Sequence, residues 1–347
     1  MKKYSLLILL FLLATPTMGC SGSVRPVNTA IIESGRLEGE DAFGSDVLKT
    51  GNDTAAVLLD SIEYEIVERL TVVNEGPGVP SKQNLWMALI RDVYPYQEVI
   101  SIEITPGDYQ INVDEYGNQY AEFDLSDMPA GTSIQIELKY LVMVNELVYD
   151  LSKCEGEMLE AFTHPELHIE SNNVQITSLA EELADDRDTA CEQVRAFYDF
   201  IGDNLVYSYN GGDWGAQAAL GEMGADCTEY ADLMIALNRA SGIPARYFEG
   251  LYFAGEQVNP EVRTEHAWLD VYLPGTGWTA MDPTLGRSSQ NREEYFAHYQ
   301  PNHIIVTQGR NPSTLRGASY WTYIYWPGES TKIKIEDFEW EIERVGE

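Results

Sequence analysis

Between residues 61 and 152 apolar and polar residues alternate in short runs, and beyond residue 155 the apolar spacing lengthens to three and four. This change of period is the strongest constraint on the fold. A period of two sends successive side chains to opposite faces of a strand, whereas the longer period stripes one side of a helix. Residues 64–73, 99–104, 110–113, 120–123 and 133–142 read as strands. The turn-like run Asp114-Glu-Tyr-Gly117-Asn118 makes two of them a hairpin, and Asn74–Gly78 and Pro129–Gly131 punctuate the rest. Short strands at this spacing predict a β-sandwich domain over residues 61–152.

The second half reads as a mixed α+β domain, residues 153–310. Apolar residues recur at helical intervals over Val174–Ala184 and Ala190–Phe200, and Asp203-Asn204 ends the second helix. Residues 207–226 are rich in Gly, Tyr and Trp and are expected to line the mouth of a cleft. A further helix starts near Cys227, buries Tyr230, Leu233, Met234, Leu237 and Ala240, and stops at Gly242 before Pro244. Strands follow at 245–253, 266–273 and 278–282, and a β extension over 311–347 closes the chain. An apolar fraction of 44% is ample for packed cores.

The net charge is −34, from 22 basic against 56 acidic side chains. Phosphate recognition needs clustered Lys and Arg, so this balance argues against a nucleic-acid partner and against basic docking on an anionic membrane. Lys2 and Lys3 precede an apolar run, Leu6–Ala14, too short to span a bilayer. Residues 1–19 therefore read as a signal peptide. Gly19-Cys20-Ser-Gly-Ser resembles a lipobox, in which the mature chain begins at a lipid-modified Cys20; cleavage nearby or an uncleaved anchor are the other readings. Residues 20–60 read as an acidic flexible tether, within which Asn52-Asp53-Thr54 has the form of a glycosylation sequon. The body is expected outside the cytoplasm, anchored at the cell surface or secreted, touching the membrane through the lipid anchor only.

With Cys20 assigned to the anchor, Cys154 and Cys191 are available for a disulfide in an oxidising compartment, the alternative being two separate buried thiols. Cys227 is left for chemistry. At a helix start, unpaired N–H groups and the helix dipole favour a thiolate, and the same donors can hold an oxyanion. The competing reading is a small buried residue in a helix–sheet contact. Downstream stand His266, opening a strand, and Asp282, before Pro283. Thiol, imidazole and carboxylate are the groups that nucleophilic catalysis uses as nucleophile, base and orienting acid. Ala267, Leu269, Val271 and Leu273 form a core-facing row, so His266 points the other way. A five-residue loop Leu273–Gly277 pairs Tyr272 with Trp278 and Trp268 with Asp282, which puts His266 and Asp282 on one face; a two-residue loop separates them.

Other constellations carry less. Pro165 breaks the helix that a His164–His168 metal pair would need, Asp114–Asn118 lacks the spacing of a calcium loop, and no metal or cofactor is expected. Trp321, Tyr323, Tyr325 and Trp326 read as an aromatic strand packed on the core rather than a binding stripe. His298 and His303 have no evident partner in sequence.

Taken together, Gly224-Ala-Asp226-Cys227-Thr-Glu229-Tyr-Ala231-Asp232, Ala236–Arg246, His266-Ala-Trp268, Trp278 and Asp282-Pro283 resemble the transglutaminase-like superfamily over roughly residues 155–300. The resemblance implies a papain-like α+β core, a Cys-bearing helix packed on an antiparallel sheet, with Cys227 as nucleophile, His266 as general base and acid, and Asp282 holding the imidazole. It implies a thioester formed from an amide of a protein or peptide substrate. Trp214 and Gln217 are candidates for a second oxyanion donor, with cleft packing as their alternative role. Hydrolysis is favoured over transamidation because water far outnumbers amines in most extracellular media. The alternative is a binding or scaffold module that keeps the fold without turnover.

Overall fold

Strand-forming sequence occupies both ends of the chain and brackets a helical middle. A computed structural model describes residues 30–33, 56–209, 212, 214–221, 224–255, 264–311, 319–326 and 331–346. The signal peptide, Cys20 and the Asn52 sequon lie outside the described residues. The strands are β1 (Ala30–Glu33), β2 (Ala56–Asn74), β3 (Lys82–Ala88), β4 (Gln97–Thr105), β5 (Gln110–Val113), β6 (Gln119–Asp124) and β7 (Thr132–Tyr149). Helices α1 (Val174–Ala184), α2 (Ala190–Asn204), α3 (Ala216–Ala219) and α4 (Cys227–Ala240) follow. Then come β8 (Ala245–Tyr252), β9 (Glu265–Leu273), β10 (Gly277–Met281), β11 (His298–Tyr299), β12 (His303–Gln308), β13 (Trp321–Trp326) and β14 (Ile333–Arg344).

Three antiparallel sheets result, in the orders β1-β4-β7-β2-β14, β13-β3-β6-β5 and β10-β9-β8-β12, with β11 also paired to β7. The first two face each other as the expected sandwich. Its spine is the pairing of β2 with β7, strands of 19 and 18 residues. Tyr64, Ile66, Leu70 and Val72 meet Ile136, Leu138, Tyr140 and Val142 inside it, as period-two patterning requires. Glu68 shares that inward row without a hydrogen-bond partner, and burial pushes its carboxyl well up, so it is held neutral.

Three features differ from the expected organisation. Residues 30–33 of the expected tether form a strand on β4, and β2 begins at Ala56 rather than near residue 61. Strand β3 has no counterpart in the sequence reading: its inward residues are Gln83, Leu85 and Met87, and the buried Gln83 breaks the apolar alternation. The C-terminal extension returns to the sandwich, β13 pairing with β3 and β14 with β2. The rings of Trp321, Tyr323 and Tyr325 stack in sequence and are partly buried against the core, while Trp326 is half-exposed.

The third sheet is covered on both faces. Ala245, Tyr247, Ala267, Leu269, Val271 and Leu273 pack against the helices. Phe248, Leu251, Trp268, Ile304 and Ile305 pack into the core shared with the sandwich. Polar contacts fasten this second interface: Tyr96 Oη donates to Asp270 Oδ2 at 3.0 Å, and the Gln97 amide bridges both backbone groups of Ile305 at 2.7 and 2.9 Å. Tyr116, at the tip of the β5–β6 hairpin, donates to Glu166 at 3.1 Å, with its ring against Gly309, whose φ of +83° and lack of a side chain admit it.

Residues 153–310 produced alone uncover Trp268, Phe248, Leu251 and Ile304, all at most 1% exposed in the full chain. That fragment is expected to bind ANS and to lose near-UV circular dichroism, whereas the full chain unfolds in one transition. A fragment with native near-UV bands and a sharp transition of its own overturns the account of a shared sheet.

Candidate active site

Cys227 is the first residue of α4 and the free cysteine among the described residues. The sequence sets this helix start through a capping box. Asp226 is the N-cap, its Oδ1 accepting from the Thr228 N–H at 3.1 Å, and Glu229 Oε2 accepts from the Asp226 N–H at 3.0 Å. Glu229 is fully buried and also accepts from the Trp214 N–H at 3.1 Å, which ties the preceding loop to the first turn. Burial, then the Glu229 carboxylate, push Asp226 above the usual carboxylate range, against the hydrogen bonds from Thr228. Cys227 itself is partly exposed, as a nucleophile must be.

The body of α4 is buried almost all round. Its polar residues are paired: Asp232 makes two bonds to Arg310 at 3.0 and 3.1 Å, and Arg239 reaches Glu166 and the carbonyls of His164 and Ala245. Gly242, at φ +75°, ends the helix before Pro244. Paired charges let a charged helix lie against the sheet without an orphaned ion.

His266 and Asp282 come together through the β9–β10 hairpin. Tyr272 pairs with Trp278 as the sequence predicts, although Leu273 and Gly277 also pair, so the loop has three residues, not five. The shorter loop keeps the same register and therefore the same facing. Met281 pairs with Leu269, and Asp282 follows at the strand end. His266 Nε2–H donates to Asp282 Oδ2 at 2.7 Å, and the Cys227 thiol adds to the pull that raises the basicity of the imidazole. The His266 ring stacks on Trp268 at 5.8 Å and 24° and lies 5.7 Å from Tyr252.

Burial alone would lower the basicity of His266. The buried Asp282 charge and hydrogen bond, then Cys227, outweigh it and push the imidazole up to about 10. Asp282 would itself be raised by burial, yet the His266 charge and the imidazole hydrogen bonds hold it well below the usual carboxylate range. Its Oδ1 accepts from the N–H groups of Thr284 and Leu285 at 2.8 and 3.0 Å.

His303 was not expected here. It is buried on β12, and its Nε2 lies 3.1 Å from the same Asp282 Oδ2 that receives His266. The reading of His303 as partnerless is thus corrected, as is that of His298, whose Nε2 lies 2.9 Å from Glu146. Nothing local to His303 signals its partner, because β12 reaches the site by pairing with β8. His266, Asp282 and His303 are also the group, among the described residues, whose ligand atoms cluster within 4.8 Å; hydrogen bonds account for that spacing.

Trp214 is half-exposed beside the start of α4, and Gln217 is exposed on α3, its N–H bonded to Glu170 at 3.2 Å. Cys154 and Cys191 are joined by a disulfide that fastens the segment before α1 to the start of α2. A recess of about 430 Å³, lined by Leu205, Val206, Ser208, Ala219, Gly224 and Ala225, opens beside the segment that leads into Cys227.

Replacing Asp282 by Asn removes the charge and leaves the burial. His266 is then expected to titrate far below 10 and to be neutral at pH 7, as read by NMR of the imidazole. An unchanged midpoint means that the carboxylate does not govern the ring.

Residues 177–283 match the sequence model of the transglutaminase-like superfamily, Transglut_core. The uncharacterized protein YebA of Bacillus subtilis is 27% identical over 172 residues, 42% of this chain and 23% of that protein. A protein-glutamine gamma-glutamyltransferase of Pseudomonas aeruginosa is 37% identical over 75 residues, 20% of this chain and 11% of that one. The chain thus spans less than a quarter of the length of either relative. A crystal structure from Cytophaga hutchinsonii, described as that of a candidate cysteine protease, superposes with a TM-score of 0.61 at 18% identity, covering 84% of this chain and 93% of that one. Sequence match and shared architecture agree with the helix, sheet and hairpin described above: residues 177–283 form a transglutaminase-like domain, and the chain shares the fold of the Cytophaga protein.

Proposed function

We propose that the chain is a thiol enzyme that acts on amide bonds of proteins or peptides outside the cytoplasm, tethered through a lipid on Cys20. The observation that carries this reading is one buried imidazole hydrogen-bonded to a buried carboxylate and raised in basicity by that carboxylate and by a thiol at a helix N-terminus. In this reading the three side chains act as a triad. The Cys227 thiolate adds to the amide carbonyl, and a C–S bond forms. The oxyanion faces the N–H groups of the first turn of α4. The C–N bond then breaks, and the His266 imidazolium gives its proton to the departing amine. Neutral His266 next takes a proton from water as the water attacks the thioester, the C–S bond breaks, and a carboxylic acid leaves. An amine in place of water gives transamidation; hydrolysis is favoured because water is the more abundant acceptor. Asp282 stays ionised throughout and holds the ring.

The recess beside Gly224 and Ala225 is where the substrate side chain is proposed to lie, since it is lined by the segment that leads into Cys227 and has small, largely apolar walls.

Iodoacetamide is expected to alkylate Cys227 selectively well below pH 8, and His266→Ala is expected to abolish that selectivity. Ordinary thiol behaviour in the intact protein would favour a scaffold that never turns over. Incubation with peptides, with and without a primary amine, separates cleavage, deamidation and cross-linking by mass, with Cys227→Ala as control.

The pH profile gives an independent check. His266 delivers a proton only while it is charged, so kcat/KM is expected to fall as pH rises through about 10. An alkaline limb near the ordinary histidine value of about 6.5 contradicts the proposed proton donor.

A further inference from the structure

We infer that His303 is a positioning residue for the proposed reaction: a second imidazole that shares the Asp282 carboxylate with His266 and fixes its aim. The inference rests on the reading of Cys227, His266 and Asp282 as catalytic machinery, and it concerns a residue beyond the matched span of 177–283.

The geometry is that of a fully coordinated carboxylate. Oδ1 is held by two backbone N–H groups at 2.8 and 3.0 Å, and Oδ2 by two imidazoles at 2.7 and 3.1 Å. A carboxylate offers about four lone-pair sites, so this set fills them. With Oδ1 alone pinned, the group keeps freedom to swing Oδ2 away from His266. His303 Nε2–H removes that freedom from the far side.

His303 suits this task because it is itself immobile. It is 2% exposed, packed edge-on to Trp268 at 4.9 Å and to Tyr252 at 5.3 Å, and the Asn302 side-chain oxygen Oδ1 lies 3.0 Å from its Nδ1. Both ring nitrogens thus face acceptor oxygens, Nε2 towards Asp282 Oδ2 and Nδ1 towards Asn302 Oδ1, and this fixes the plane of the ring. Burial lowers its basicity, against the pull of Asp282, and the neighbouring His266 charge adds to the lowering. The His303 N–H stabilises the Asp282 charge from the side opposite His266. It also draws electron density from Oδ2, which tempers the hold of Asp282 on that proton.

Two variants separate aim from packing. His303→Gln keeps an N–H near the position of Nε2, and His303→Leu removes it. Loss of the donor is expected to lower kcat about tenfold with KM little changed, as misplacement of a reacting group does. The His266 midpoint and the alkaline limb of kcat/KM move upward, and His303→Gln recovers most of both. Equal losses in the two variants, with the His266 midpoint unmoved, reduce His303 to a packing residue and overturn the inference.

A second measurement needs neither turnover nor a folded His303 variant. In the full-length Cys227→Ala protein, ¹H–¹⁵N NMR should find a proton on His303 Nε2 at pH 7. Its ring signals should then shift as His266 titrates, because one carboxylate oxygen joins them. A His303 with no proton on Nε2, or signals indifferent to His266, overturns the inference. If the wild type cleaves and cross-links nothing while these signals are coupled, the proposed function fails and the shared carboxylate stands.

Discussion

A β-strand buried on both faces governs this molecule. β9 lies between the helices on one side and the sandwich on the other, and six consecutive residues, His266–Val271, are buried. An antiparallel sheet usually leaves one face to water and reads as alternation. Here both rows are enclosed, the small apolar row against α4 and the row of His266, Trp268 and Asp270 on the other face. Water is thus removed from around the imidazole, and its interaction with Asp282 is strong because the medium is poorly polarisable. Without the sandwich over Trp268 and Asp270 the hairpin would still form, but its charge pair would sit in a wetter and weaker field.

Enclosing so many charges requires pairing them. Arg246 binds Asp270 with both ends of its guanidinium while lying 3.7 Å over the ring of Trp278, and Tyr96 from the sandwich completes the Asp270 carboxylate. Arg310 does the same for Asp232, over Tyr247. In a chain with 22 basic residues and 56 acidic ones, arginines are spent inside, where planar, bidentate geometry matters. The acidic excess then falls to the surface, where solvent screens it. The large net charge therefore describes the exterior, while the interior around α4 and β9 is close to balanced.

Much of this was legible before any coordinates, for a physical reason. Period-two alternation is local, so β2, β4 and β7 could be read from single segments, and the helix at Cys227 announced itself by its apolar stripe and its Gly242-Ile-Pro244 stop. The facing of His266 and Asp282 followed from hairpin register, again a local property, and it survived a loop two residues shorter than expected. What stayed hidden was non-local or polar. β3 escaped because Gln83 takes an inward place that patterning assigns to an apolar residue. The capping box of Asp226 and Glu229 stands in the sequence as one acid three residues before another, a spacing that two solvent-facing carboxylates share. His303 was out of reach, since a strand's partner across the sheet leaves no trace in its own periodicity.

The position of His303 also bears on where a functional unit ends. The family match stops at Pro283, just after the carboxylate, which makes residues 177–283 look self-sufficient. Yet Asp282 is finished by groups on both sides of that limit: Thr284 and Leu285 hold one oxygen, and β12 supplies the second imidazole for the other. β12 in turn is fastened at Ile305 by Gln97, a residue of the sandwich. A continuous line of hydrogen bonds and strand pairing therefore runs from the N-terminal domain to the oxygen that orients His266. A strand that carries His303 can hold its place within a few tenths of an ångström only if something rigid holds the strand, and here that is the other domain. The sandwich is then better regarded as part of the site's framework than as an attachment to it, and the boundary between the two domains is one of sequence pattern more than of mechanics.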